Sequence, residues 1–89
     1  MSHFEYIVEV PVDNKVEDKT KELISYIDKF GFTPQFNLLD YVDRDNKNDT
    51  KTRVFTIIGY SNVNQIMTQL FYGYATKITC HLKTPVAVW

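Results

Sequence analysis

The sequence predicts a four-stranded antiparallel sheet with two helices on one face, in the order β-α-β-β-α-β. Three observations carry this. Four segments alternate apolar and polar residues with the period of a half-buried strand, and two segments carry apolar stripes at helical spacing. Their order makes two successive βαβ halves, and right-handed crossovers then bring the strands into the order 4-1-3-2 of the ferredoxin-like plait. The third is size: 89 residues and 44% hydrophobic content suit a single α+β domain, 1–89, with one modest core.

The first strand is expected from His3 to Val12. Phe4, Tyr6, Val8 and Val10 alternate there with Glu5, Ile7 and Glu9, and Pro11 ends its ladder. Asp13 and Asn14 offer N-caps for a helix running to about Phe30, with Val16, Thr20, Leu23, Ile24, Ile27 and Phe30 on one stripe. Glu17 and Lys21 stand at i,i+4 on its outer face, and Gly31 suits a left-handed cap. A second strand is expected over 35–43, with Phe36, Leu38 and Val42 alternating with Leu39 and Tyr41. The polar run from Asp43 to Thr50 makes the hairpin loop, and a third strand follows from Lys51 to Tyr60.

Ser61 is expected to cap the second helix. Its stripe is Val63, Ile66, Met67, Leu70, Phe71 and Tyr74, and Gly73 weakens its end near Ala75. The fourth strand is Thr76–Lys83, with Ile78, Cys80 and Leu82 expected on the buried face and His81 on the solvent face. Pro85 then opens a short apolar tail, 85–89.

Composition excludes several classes of function. One cysteine in so short a chain points to a fold without disulfides and to the cytoplasm. No apolar run approaches the roughly 20 residues of a membrane span, and no signal-peptide pattern opens the chain. Eight lysines against two arginines, with six asparagines, fit an AT-rich coding genome, as in low-GC bacteria and their viruses.

Catalytic machinery is not evident. Cys80 and His81 are neighbours in a strand, so their side chains point to opposite faces and do not pair. The Asp43–Asp49 cluster lacks the glycine and the bidentate Glu of a calcium loop, and zinc-like Cys/His spacing is absent. Phosphate chemistry in acylphosphatases, which use this topology, needs an arginine near the first loop. Here that loop is Pro11-Val12-Asp13-Asn14-Lys15. A dimeric α+β-barrel enzyme would need two sheets packed face to face. We therefore expect no enzyme activity, no metal and no cofactor.

Two binding classes remain. RNA-recognition motifs share the topology and stack bases on sheet aromatics. Tyr6, Arg53 and Phe55 would be the corresponding residues on an open sheet face, but Glu5 and Glu9 beside them would repel a phosphate backbone. The expectation is instead a protein-binding module, acting as an adaptor or inhibitor on a partner's surface, with a phage or viral protein aimed at a host factor as one setting. Two features support it.

First, Val54 to Thr76 contains no charged residue. The outer face of the second helix there is Asn64, Gln65, Thr68, Gln69 and Tyr72. Depletion of charge around an exposed aromatic marks interface cores. Tyr72, Gln69, Gln65, Tyr74 and Trp89 are the candidate contacts. Second, the net charge of −1 conceals a split. Residues 1–49 sum to −5 and residues 50–89 to +4. In the expected topology one sheet edge carries Asp40, Asp43 and Asp45, and the other carries Lys77, His81 and Lys83. Such edges favour a charged partner or a second copy.

Overall fold

In a computed structural model, which describes residues 3–29 and 35–83, the six elements follow in the expected order. They are β1 (His3–Pro11), α1 (Val16–Asp28), β2 (Phe36–Asp45), β3 (Lys51–Gly59), α2 (Asn64–Leu70) and β4 (Lys77–Lys83). The sheet is antiparallel with strand order β2-β3-β1-β4. This is the ferredoxin-like arrangement, with β2 and β4 at the edges.

Parity along β1 sets the two faces. Tyr6, Val8 and Val10 are buried, while Glu5, Ile7 and Glu9 between them are only partly covered. The register carries this across: Tyr6 opposes Ile57, Val8 opposes Phe55 and Val10 opposes Arg53. Tyr6, Val8, Val10, Phe55 and Ile57 form one core with Val16 and Leu23 of α1, Phe36 of β2 and Met67 of α2. Both helices therefore cover one face. Burying a side chain such as Phe55 or Ile57 contributes about 1.5–3 kcal/mol each.

Neither helix starts on its expected cap. Val16 begins α1 after Lys15, which lacks a side-chain cap. Asp13 does not cap the helix; its Oδ1 accepts the Lys15 N–H at 2.8 Å in the preceding turn. The helix ends at Asp28, with Lys29 still in a right-handed conformation; the expected cap at Gly31 lies outside the described residues. Glu17 does not pair with Lys21, because it reaches across to Arg53 at 2.8 Å.

α2 has only seven residues. Ser61 is too early to cap it. Val63 is its N-cap, and Asn62 Oδ1 accepts the Asn64 N–H at 3.0 Å. Beyond Leu70 the chain turns through Gly73, whose φ of 72° is the left-handed region. The Phe71–Tyr74 segment thus packs on the core without extending the helix.

β2 departs from simple alternation. The register shifts between Leu38 and Asp40, so one extra residue enters the strand. Phe36 and Leu38 face the core, but after the bulge Tyr41 and Asp43 do so, opposite Phe55 and Arg53. Val42, expected beside Leu38, instead opposes Val54 on the open face and is 55% exposed.

Candidate functional site

The three residues expected to serve RNA on an open face, Tyr6, Arg53 and Phe55, all lie on the helix-covered face and are buried. This corrects the sequence reading, and the cause is parity. Arg53 shares the side of Phe55 and Ile57, so its guanidinium points under α1. There it donates to both oxygens of Asp43 (2.7 and 3.1 Å), to Glu17 Oε1 (2.8 Å) and to Thr20 Oγ1 (3.1 Å). Its charge also lies 4.9 Å over the Tyr41 ring. A cation only 6% exposed is tolerated because each of its three nitrogens donates to an acceptor. The hydrogen bond from Arg53 holds the Asp43 carboxyl below its usual value, and Asp43 raises Arg53 further above its own.

The open face is built from the other parity. Its middle is Glu5, Ile7 and Glu9 of β1 with Thr52, Val54, Thr56 and Ile58 of β3. Glu9 accepts from Arg44 Nη2 at 2.7 Å, across the intervening strand. Among the described residues no Phe, Tyr or Trp of a strand projects from this face, so it offers no stacking platform for bases.

The acidic edge is partly neutralised. Asp43 is engaged by Arg53 and Asp45 lies 3.8 Å from Lys51, which leaves Asp40. On the opposite edge, Lys77 and His81 register against Glu9 and Glu5 of β1. Lys83 registers against His3.

On α2 the expected surface is present. Tyr72 is 84% exposed, and Asn64, Gln65, Thr68 and Gln69 are exposed together along the helix, lining a shallow depression of about 380 Å³. Tyr74 is different. It is half-buried against the core with Lys19 Nζ 4.9 Å over its ring, and burial pushes its hydroxyl pKa up. Trp89 and the 85–89 tail lie outside the described residues.

Beside α2 the sequence reading needs its largest correction. Cys80 was expected in the core with Ile78 and Leu82, yet all three are exposed, Ile78 at 39% and Leu82 at 61%. They do face the helix layer, because Ile78 opposes Val8, Cys80 opposes Tyr6 and Leu82 opposes Phe4. The seven-residue α2 leaves this edge incompletely covered. A groove of about 280 Å³ remains, lined by Tyr6, Asn64, Met67, Thr68, Ile78 and Cys80. Its floor is fixed by Tyr6, whose hydroxyl donates to Asn64 Oδ1 (2.7 Å) and accepts the Val63 N–H (3.1 Å). Burial is the main cause that raises the Tyr6 hydroxyl pKa. The signal for this groove in the sequence was the short span between Ser61 and Gly73, which leaves room for only a short second helix.

Among the described residues no group of three or more His, Cys, Asp or Glu could hold a metal ion. No helix among them is long and apolar enough to cross a membrane.

No protein-family model and no curated protein matches the chain. Solved structures that share its fold include the following two. The C-terminal domain of the MgtC protein from Mycobacterium tuberculosis is similar with a TM-score of 0.58 and 6% identity, over 93% of this chain and 88% of that one. LarC2, the C-terminal domain of a cyclometallase involved in the synthesis of the NPN cofactor of lactate racemase, in its apo form, is similar with a TM-score of 0.56 and 13% identity. That match covers 93% of this chain but 56% of the LarC2 chain. At these identities the likeness establishes the ferredoxin-like fold and carries no activity across.

Proposed function

We propose that this chain is a non-enzymatic module that binds another protein through the α2 side of the domain, as an adaptor or an inhibitor. The observation that carries the reading is the exposed, uncharged surface of α2 with Tyr72 beside it. An exposed helix normally carries Lys and Glu on its solvent side, and an aromatic left 84% exposed is apolar area that a partner can bury. Gln65 and Gln69 supply paired donors and acceptors around that anchor, as interface rims do.

The reading is favoured over single-stranded RNA binding by the open face, where Glu5, Glu9 and Asp40 stand and stacking aromatics are lacking among the described residues. The test is affinity capture from the native cell with wild type, Tyr72→Ala and Gln69→Lys, each shown to be folded by its thermal melt. Loss of the same captured protein from both variants supports the reading. Retention of it by both, or salt-sensitive retardation of mixed-sequence RNA by the wild type, overturns it.

A further inference from the structure

Among the described residues no strand lies beyond β4, and this edge is unlike the edge of β2. β2 is interrupted by a bulge between Leu38 and Asp40 and carries Asp40, Asp43, Arg44 and Asp45, features that discourage pairing with another strand. β4 is regular over Lys77–Lys83, with no register shift against β1. Its backbone polarity follows from the sheet. The Val12 N–H donates to Lys51 of β3, so even-numbered amides of β1 point at β3 and odd-numbered ones at β4. The β1–β4 register then consumes the amides of Lys77, Thr79 and His81. It leaves those of Ile78, Cys80 and Leu82 aimed outward at the free edge.

The side chains sort the same way. Ile78 and Cys80 line the groove beside α2, Leu82 follows on the same face, and Lys77 and His81 stand on the opposite face. Glu9, the acid in register with Lys77, is held by Arg44 at 2.7 Å, and Lys77 makes no ion pair among the described residues. A strand laid along this edge would insert alternate side chains into the groove, against Tyr6, Met67 and Ile78, and present the others toward Lys77.

We infer that β4 is a strand-addition site for an extended peptide segment of a partner protein, one that alternates apolar and acidic residues. This rests on the protein-binding reading and names the partner's chemistry. Backbone hydrogen bonds would supply affinity, and the groove and Lys77 would supply sequence preference. A second copy fits less well. A second β4 strand, Lys77–Lys83, brings no acidic residue to meet Lys77. The β2 edge of a second copy is closed by its bulge.

The test uses synthetic peptides of about seven residues, the span of one ordinary strand, alternating Val with Glu or Val with Lys. Binding is followed by amide shifts of the intact protein. The Val/Glu peptide is expected to perturb Ile78, Cys80 and Leu82 and to bind about tenfold or more tightly than Val/Lys. Cys80→Pro removes an outward N–H without breaking the β1 ladder, as prolines on edge strands do, and should abolish binding. Lys77→Glu should fold normally and reverse the peptide preference. Equal affinity for both peptides, or shifts confined to α2, overturns the inference while leaving the α2 reading intact. Self-association of the free protein that Cys80→Pro abolishes also overturns it, because the occupant would then be a second copy.

Discussion

The Arg53 guanidinium donates to both carboxylate oxygens of Asp43 across the β2–β3 hairpin, at 2.7 and 3.1 Å. This contact joins the bulged edge strand to the sheet interior, and Glu17 extends it to α1. A charge pair that looks from the sequence like part of an acidic edge is therefore a fastener between three elements.

Asp43→Asn should cost about 2 kcal/mol at neutral pH, since a buried guanidinium loses a charged partner but keeps Glu17 and Thr20. The pH dependence has a definite sign. The Asp43 carboxyl is held below its usual value of 3.8, chiefly by the Arg53 hydrogen bond. Its contribution is complete above that value and is lost as pH falls through the lower folded-state value. Urea unfolding of both proteins should show a gap that is constant near neutrality and narrows below about pH 4. A gap that widens on acidification would contradict this.

Tyr6→Phe should destabilise by about 1–3 kcal/mol, although it removes one oxygen from a core otherwise unchanged. The buried Val63 N–H loses its acceptor, while exposed Asn64 can turn to water. The loss should appear as a lower urea midpoint with an unchanged slope. An unchanged midpoint would mean that the hydroxyl does not anchor the start of α2.

Gly59→Ala should be harmful for a steric reason. A Cβ there would meet the Ser61 carbonyl oxygen, Tyr6 Cε2 and Val63 Cγ2, each at 3.0 Å. The backbone oxygen cannot swing away, so a cost of about 1–3 kcal/mol is expected in the same assay.

The strands and their order could be read from period-2 patterns because the central strands, β1 and β3, have one covered face throughout. The edges were harder. One inserted residue at the β2 bulge reverses the parity of everything after it, and nothing in Leu38-Leu39-Asp40 announces the insertion. β4 alternates as a buried strand would, but burial depends on how far α2 reaches, which is a tertiary quantity. Arg53 was open to a better reading: it shares parity with Phe55 and Ile57, and a cation in that row implies acceptors such as Glu17 and Asp43 nearby. The α2 surface was readable because it rests on an absence of charge over a long run.

The central claim is that a protein partner covers the α2 side of the domain. Hydroxyl-radical footprinting of the captured complex tests it most directly, because reactive side chains stand on both sides. Tyr72 and Cys80 mark the α2–β4 side, and Leu39 and Val42 mark the far edge and open face. The account predicts that Tyr72 and Cys80 lose reactivity on binding while Leu39 and Val42 keep theirs. Protection of Leu39 and Val42 with Tyr72 still fully reactive would contradict it.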